Sequence, residues 1–267
     1  MRLDGQVNGG LGVRLRGTHL FLPPTNPFHA MHTNRIDAAI IDLDGTMVDT
    51  MGDFAVALNG MLAELSLPGI DKSTISVMVG KGSEHLIDSV LKHVLAQQQY
   101  GENAINKIAT QAAALLPAAW QSYQQHYLAA NGQHAAVYPG VREGLDALRA
   151  RGLKLACLTN KPGSFARPLL AAKGLDGYFS HVFGGDAFAR KKPDPLPLLK
   201  TCEALGTDPA RTLMLGDSSN DAQAARAAGC PVVLVTYGYN HGEPVRAVDA
   251  DGFVDSLADL AAWRLPA

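Results

Sequence analysis

Short runs of consecutive hydrophobic residues recur along the chain. The first run, Ala38–Ile41, ends immediately before Asp42. A continuous apolar run of this length is typical of a strand that is buried on both faces of a parallel sheet. Four later runs repeat the pattern: Leu153–Leu158, His181–Phe183, Thr212–Leu215 and Val232–Val235.

Segments with helical spacing lie between these runs. Val141, Leu145 and Leu148 fall on one helix face, and Gly152 is placed to end that helix. Similar signals predict helices that end at Gly206 and Gly229. Alternation of buried strands with crossover helices predicts an α/β fold with a doubly wound parallel sheet, a Rossmann-like core.

The interval from Met51 to His134 breaks this alternation, because it contains helical periods and no strand-like run. Phe54, Leu58 and Met61 begin one such period. Roughly eighty residues are too many for a loop in a compact domain. We therefore expect residues 51–134 to form an inserted α-helical cap domain. Residues 35–50 and 135–267 would then form the α/β catalytic core.

Residues 1–34 differ from the rest of the chain in composition. They are rich in glycine and proline and show neither a helical nor a strand period. The longest apolar stretch, Leu20–Leu22, is too short for the apolar centre of a secretory signal. We expect a disordered or loosely attached N-terminal tail.

The overall composition narrows the class of protein. Hydrophobic residues make up 47% of the chain and charged residues 18%, which favours a globular protein with a sizeable core. The net charge of −2 lacks the positive excess that is typical of proteins that bind nucleic acid or an anionic membrane. The three scattered cysteines favour neither a disulfide framework nor a zinc site, and fit a reducing cytoplasm.

Chemically active side chains cluster where the predicted strands end. Ligands bind at the carboxyl ends of strands in open α/β sheets, so these side chains are expected to meet at one edge. The strings concerned are Asp42-Leu43-Asp44-Gly45-Thr46, Thr159-Asn160-Lys161, Lys191-Lys192-Pro193 and Gly216-Asp217-Ser218-Ser219-Asn220-Asp221.

The charges in this set predict a metal ion and a phosphoryl group. Two unit charges about 4 Å apart repel by roughly 4 kcal/mol at an effective dielectric of about 20, so clustered carboxylates need a cation or protonation. Mg²⁺ prefers oxygen ligands and bridges to phosphate. Thr159 and Lys192 are donors suited to the anion. The carboxylates are Asp42, Asp44, Asp217 and Asp221.

From about Ile36 onwards the chain resembles the haloacid dehalogenase-like hydrolase superfamily, in its phosphatase branch. The string from Asp42 to Asp49 is similar to the first motif of that superfamily, with Met47 where Leu is more usual. Thr159 and Lys192 are similar to the second and third motifs. Gly216-Asp217-Ser218-x-x-Asp221 is similar to the fourth.

The resemblance implies a role for each of these residues. Asp42 would be the nucleophile and a metal ligand. Asp44 would be the acid and base, and its backbone carbonyl would bind the metal. Thr159 and Lys192 would hold the phosphoryl oxygens. Asp217 would bind Mg²⁺.

The remaining fourth-motif carboxylate, Asp221, would support the metal through water or Lys192. The resemblance also places Thr46 and Asn160 among the residues that bind substrate. The implied activity is Mg²⁺-dependent hydrolysis of a phosphomonoester through an aspartyl-phosphate intermediate.

Within the superfamily, the chain is most similar to bacterial phosphoglycolate phosphatases. The strings that carry this similarity include Thr159-Asn160-Lys161-Pro162 and Thr236-Tyr237-Gly238-Tyr239-Asn240. The segment Val79-Gly80-Lys81-Gly82-Ser83 is similar to the substrate-facing loop of that family. Lys81 would meet a substrate carboxylate there, or lie in a solvated loop, and Gly82 would let the backbone approach a small ligand.

Other functions with the same core stay open at this point. A phosphatase of a sugar phosphate, such as N-acetylmuramate 6-phosphate, and a phosphosugar mutase share these catalytic residues. Two further alternatives are disfavoured. A dehalogenase would need neither Asp44 nor Mg²⁺, and a non-catalytic relative would lack at least one catalytic residue, whereas all of them are present here. The expected partner is a small phosphorylated metabolite, without nucleic acid or membrane, and a monomer and a homodimer are both compatible with the sequence.

Overall fold

The protein is represented by a computed structural model that describes residues 35–98 and 104–262. The predicted tail at 1–34 lies outside the described residues. The strands are β1 Ala38–Ile41, β2 Val48–Asp49, β3 Ala136–Val137, β4 Lys154–Leu158, β5 His181–Phe183, β6 Thr212–Gly216, β7 Val232–Val235 and β8 Gly252–Val254. The α-helices are α1 Met51–Glu64, α2 Lys72–Ser76, α3 Ser83–Ala96, α4 Ala104–Ala130, α5 Val141–Ala150, α6 Gly163–Ala172, α7 Leu196–Leu205 and α8 Ser219–Ala228.

Six of the strands form one parallel sheet, in the order β5-β4-β1-β6-β7-β8. The chain first extends the sheet on one side of β1 and then on the other. The ends of β1 and β6 therefore flank the point at which the strand order reverses, where open α/β sheets bind ligands. The predicted doubly wound sheet is confirmed.

The side chains of β1 show why this strand is apolar throughout. Ala39 and Ile41 pack into the hydrophobic cluster on one face of the sheet, whereas Ala38 and Ile40 pack into the cluster on the other face. Alternate residues of a strand point to opposite faces, so a strand that is covered on both faces needs apolar residues at every position.

Helices α1 to α4 form a separate layer with its own hydrophobic cluster. Leu58, Leu62, Ile87 and Tyr123 are fully buried in that cluster. Among the described residues between Met51 and His134, there is no strand. This helical segment (residues 51–134) therefore buries an apolar face of its own.

A two-stranded antiparallel ribbon joins the helical segment to the sheet. β2 precedes the segment, β3 follows it, and Val48 pairs with Val137. Both connections thus run side by side, and two residues per strand are too few for a periodic signal in the sequence. Neither this ribbon nor the short edge strand β8 was predicted from the sequence.

In the described part of the chain, no helix combines the length and the apolarity that a membrane span requires.

Candidate active site

Three carboxylates meet where β1 and β6 end. Asp42 follows β1, and its backbone N–H donates to the carbonyl of Leu215 in β6 at 2.9 Å. Asp217 follows β6, and Asp221 lies in the first turn of α8. One carboxylate oxygen from each of Asp42, Asp217 and Asp221 lies within 4.8 Å of the others. The sheet edge therefore collects these acids as the sequence analysis expected.

Lys192 lies among these acids and is 4% exposed. Its Nζ atom is 2.6 Å from Oδ1 of Asp221 and 3.0 Å from Oδ1 of Asp42, and it donates to the carbonyl of Leu158 at 3.0 Å. Apart from the contact with Lys192, the buried Oδ1 of Asp42 has no hydrogen-bond partner among the described residues. Asp42 is therefore held by one ammonium group and keeps bonding capacity for another electrophile.

Burial and mutual repulsion oppose the ionisation of the acids. Burial raises the pKa of Asp42 to about 7, the charge of Lys192 opposes the shift, and that of Asp221 adds to it. Burial, with Asp221 and Asp42, also raises the pKa of Asp217 well above its usual range. Burial lowers the pKa of Lys192, but Asp221 and Asp42 outweigh it and raise the value overall. A further positive charge near these carboxylates would favour their ionised forms and lower their pKa values.

The Asp217 carboxylate is fixed by two hydrogen bonds. Oδ1 accepts from Thr46 Oγ1 at 3.2 Å, and Oδ2 accepts from the backbone N–H of Tyr239 at 2.6 Å. Gly45 has a φ of +81°, and a Cβ atom there would collide with the Asp217 carboxylate. Glycine at position 45 therefore permits both the turn after β1 and the close approach of Asp217.

The Asp221 carboxylate supports its neighbours. Its Oδ2 accepts from the hydroxyl and the backbone N–H of Ser218, at 2.9 and 3.2 Å, which completes a capping box at the start of α8. Its Oδ1 accepts from Lys192. Both oxygens of Asp221 are thus occupied, in keeping with the supporting role that the resemblance implies.

The second carboxylate of the first strand end, Asp44, is paired with a lysine that received no role in the sequence analysis. Lys161 Nζ lies 3.0 Å from both Oδ1 and Oδ2 of Asp44, and only 2% of the Lys161 side chain is exposed. The same ammonium group lies 4.7 Å from the ring centroids of Phe54 and Tyr127. Asp44 therefore belongs to a different ionic contact from the other three acids.

These groups surround a small cavity of about 30 Å³. A single buried water needs about 10–15 Å³ on the same measure, so the cavity has room for only a few atoms. The core contributes Asp42, Asp44, Thr159 and Asp217 to its wall, and the helical segment contributes Phe54, Val79, Gly82 and Ser83. The helical segment thus forms part of the wall of the site.

The loop before α3 is attached to the core by two side-chain amides. The carbonyl of Gly80 accepts from Asn160 Nδ2 at 3.0 Å and from Asn220 Nδ2 at 3.1 Å. The Asn160 amide also donates to the carbonyl of Lys192 and accepts from its N–H, at 2.8 and 3.0 Å. Asn160 therefore lines the cavity while it joins the loop to the segment that carries Lys192.

Not every residue of the sequence-based site reaches the cavity wall. Asp42, Asp44, Thr159, Asn160, Asp217 and Gly82 line it. Lys192 and Asp221 lie behind Asp42, and Thr46 is fully buried against Asp217. Lys81 is exposed and lies outside the lining.

The structure adds lining residues that the sequence analysis did not single out. Lys161 and Tyr239 belong to strings already compared with the family, whereas Phe54 and Ser83 come from the helical segment. The available signals were weak: Lys161 lies two residues after Thr159, and Ser83 begins a helix after a glycine. Their position depends on how the helical segment packs on the sheet.

A site for a hard cation requires oxygen ligands and an excess of negative charge. With all four carboxylates ionised, their charge exceeds that of Lys161 and Lys192 by two negative charges, and the raised pKa values of Asp42 and Asp217 reflect this excess. The three clustered acids supply oxygen ligands only, and a hard divalent cation prefers such ligands. The residues present fit a divalent cation.

Comparison with known proteins agrees with this geometry. A family model of haloacid dehalogenase-like hydrolases matches residues 36–229. The chain belongs to this family. The match begins just before β1 and ends at Gly229, after α8, so it includes every acid and lysine of the site.

Several curated relatives share most of the chain. It is 46% identical, over 85% of its length and 94% of the relative's, to a phosphoglycolate phosphatase of Thiobacillus denitrificans. It is 43% identical to a plasmid-encoded phosphoglycolate phosphatase of Cupriavidus necator, over 86% of its length and 94% of the relative's. A crystal structure from Haemophilus somnus, of a protein described as a predicted phosphoglycolate phosphatase, has a TM-score of 0.77 at 31% identity and covers 86% of this chain and 99% of that one. The chain is thus an enzyme of the phosphatase branch.

Proposed function

We propose that this protein hydrolyses 2-phosphoglycolate to glycolate and phosphate. The observation that supports this chemistry is that Asp42, Asp44, Thr159 and Asp217 line the same cavity. The substrate is supported by relatives that are named phosphoglycolate phosphatases and share up to 46% of the aligned residues.

The proposed cofactor is Mg²⁺. Asp42 and Asp217 would hold the cation through their carboxylates and Asp44 through its backbone carbonyl, with Asp221 behind them. When bound, the ion neutralises charge on the phosphoryl oxygens. The excess of carboxylates over lysines at the site supports this assignment, as does the buried Oδ1 of Asp42, which contacts only Lys192 among the described residues.

Two displacements at phosphorus make up the proposed reaction. A carboxylate oxygen of Asp42 attacks phosphorus, the phosphorus–oxygen bond of the ester breaks, and Asp44 gives its proton to the departing alkoxide. Water then attacks the phosphorus of the aspartyl phosphate while Asp44 takes a proton from it. The bond between Asp42 and phosphorus breaks, phosphate leaves, and both carboxyl groups return to their first state.

Thr159 and Lys192 orient and neutralise the groups that react. The Thr159 hydroxyl lines the cavity and would donate to a phosphoryl oxygen. Lys192 lies 3.0 Å from Asp42 and opposes the effect of burial on its charge. Lys192 would therefore keep the nucleophile ionised as well as balance phosphoryl charge.

The helical segment is proposed to act as a cap domain (residues 51–134) on a core of residues 35–50 and 135–267. Its separate hydrophobic cluster and the β2–β3 ribbon support this division. The cap would open for substrate entry and close to exclude water from the first step. The three free, buried cysteines support action in a reducing compartment such as the cytoplasm.

A substrate panel tests this function. We expect hydrolysis of 2-phosphoglycolate with a higher kcat/KM than that of hexose phosphates or N-acetylmuramate 6-phosphate, and no turnover in the presence of a chelator. Phosphate release by the Asp42→Asn variant serves as the background. A preference for a sugar phosphate would overturn the substrate and retain the chemistry, whereas full activity without a divalent cation would overturn the mechanism.

A further inference from the structure

The buried ammonium group of Lys161 has no role in the reaction as derived above. Its three N–H donors are directed to a narrow set of groups. Oδ1 and Oδ2 of Asp44 are both 3.0 Å away, and the rings of Phe54 and Tyr127 lie at 4.7 Å from the Nζ atom. The ammonium group is thus enclosed by one carboxylate and two aromatic faces.

The two rings come from the two helices that connect the cap to the core. Phe54 lies in the first turn of α1, and Tyr127 lies in the last turn of α4. The rings pack together at a centroid distance of 5.6 Å, and Tyr127 also contacts Phe165 of α6 at 4.8 Å. Lys161 therefore lies between a carboxylate of the core and the base of the cap.

We propose that Lys161 is a positioning residue that holds the Asp44 carboxylate in place for both proton transfers, and that Phe54 and Tyr127 hold Lys161 from the side of the cap. Proton transfer requires the donor within hydrogen-bond distance of the reacting oxygen. A carboxylate held at both oxygens by a buried cation has little freedom to rotate away. Movement of the cap would remove the two rings, so the position of Asp44 would depend on cap closure.

The contacts favour this role over a direct contact of Lys161 with substrate. Both oxygens of Asp44 lie at hydrogen-bond distance, and the aromatic faces cover the ammonium group on the other side. A substrate carboxylate would have to displace Asp44 from Lys161. The inference rests on the proposed function, because it needs Asp44 to be the acid and base.

The test compares Lys161→Met with the wild type on two phosphate esters. 2-Phosphoglycolate releases an alkoxide and needs the proton of Asp44 in the first step. p-Nitrophenyl phosphate releases a stable anion and does not. Hydrolysis of the aspartyl phosphate needs Asp44 as base with either ester.

With p-nitrophenyl phosphate in a rapid-mixing experiment, we expect Lys161→Met to release the first equivalent of nitrophenol within about threefold of the wild-type rate. The following steady state should be about 10- to 100-fold slower, less than the roughly 10²- to 10⁴-fold that acid–base catalysis contributes, because Asp44 is displaced and not removed. With 2-phosphoglycolate, kcat should fall by a similar or larger factor, without a burst and with little change in KM. Lys161→Arg should recover part of the lost rate, and Phe54→Leu should show a weaker form of the same burst.

Lys154→Met is the matched control, because Lys154 is the first residue of β4, the strand that Lys161 follows, but donates to the carbonyl of Leu205. It should change neither phase, and thermal unfolding midpoints report the folding of each variant. A KM increase confined to 2-phosphoglycolate would make Lys161 a carboxylate-binding residue, and equal losses in both phases would make it structural. Either outcome overturns the proposal, whereas a wild type that cleaves neither ester would overturn the proposed function itself.

Discussion

At the scale of single residues, the site separates two carboxylates that lie only two positions apart in the chain. Asp42 contacts Lys192 at 3.0 Å, and Asp44 contacts Lys161 at 3.0 Å. Each acid of the first strand end thus has its own buried lysine. This division allows one carboxylate to act as nucleophile while the other handles protons.

The first prediction concerns Asp42→Asn. The amide has nearly the same shape as the carboxylate but cannot attack phosphorus, so turnover of 2-phosphoglycolate should vanish while the fold persists. Phosphate release and circular dichroism measure the two properties. Substantial activity in a sample that mass spectrometry shows to be free of deamidation would exclude Asp42 as the nucleophile.

At the scale of elements, the buried strands were predictable because their surroundings leave little choice of residue type. β5 and β7 have the predicted bounds, and β4 and β6 differ by one residue at one end. The location of the site could then be predicted from the topology, because the carboxyl ends of parallel strands lie at one edge of the sheet, where Asp42 and Asp217 meet. The ribbon of β2 and β3 was missed because four residues carry no period.

Contacts across the interface between sheet and cap were also beyond the sequence analysis. The partners Lys161 and Asp44 are 117 positions apart, and the rings over Lys161 belong to cap helices. No local pattern encodes these contacts, because the Lys161–Asp44 pair depends on how the core assembles and the rings over Lys161 depend on how the helical segment packs on it. Lys81, by contrast, lies in a loop that was predicted to face substrate, and its side chain is exposed.

The strand-end acids yield a second prediction, on metal binding. Mg²⁺ should raise the thermal unfolding midpoint of metal-free protein, because the ligands of β1 and β6 are assembled only in the folded state. Binding at 100-fold excess over Kd contributes about 2.7 kcal/mol to stability. Asp217→Ala should lose this increase, and Asp249→Ala, which removes an exposed acid, should keep it. An increase of the same size in Asp217→Ala would move the cation elsewhere.

The loop before α3 gives a third prediction. Since Lys81 is exposed, Lys81→Ala should lower kcat/KM for 2-phosphoglycolate by less than about tenfold and leave kcat unchanged, as expected for a charge at the rim. The loss should shrink as salt is added. Kinetics with p-nitrophenyl phosphate, which lacks a carboxylate, provide the comparison. A loss of more than about tenfold for 2-phosphoglycolate alone would instead mean that Lys81 reaches the substrate carboxylate away from water.

At the scale of the whole molecule, the helical segment meets the core at the β2–β3 ribbon, at the rings around Lys161 and at the loop before α3. The β2–β3 ribbon holds the connections, and Tyr239 adds to it by accepting from the N–H of Thr50 at 3.1 Å. In the loop before α3, the carbonyl of Gly80 accepts hydrogen bonds from Asn160 and Asn220 of the core. A cap that is anchored at the ribbon and released at Gly80 would open the cavity without separation of the domains.

The last prediction tests the hydrogen bonds at the Gly80 carbonyl with the substitution Asn220→Ala. The substitution removes one of the two amides that donate to the Gly80 carbonyl, at 3.1 Å, and leaves the contact from Asn160. A hydrogen bond of this kind contributes about 0.5–1.5 kcal/mol, so kcat/KM should fall between about two- and tenfold. The loss should be equal for 2-phosphoglycolate and p-nitrophenyl phosphate, because closure precedes chemistry with both.

Asn240→Ala is the control for this variant. Its side chain accepts from the N–H of Ser219 at 2.9 Å and donates to the carbonyl of Glu243 at 3.0 Å, so the two hydrogen bonds stabilise the same region and both stay within the core. Activity per folded molecule should stay at the wild-type value in Asn240→Ala. An equal loss in both variants would attribute the effect to the stability of the core, and the Gly80 contact would then have no part in closure.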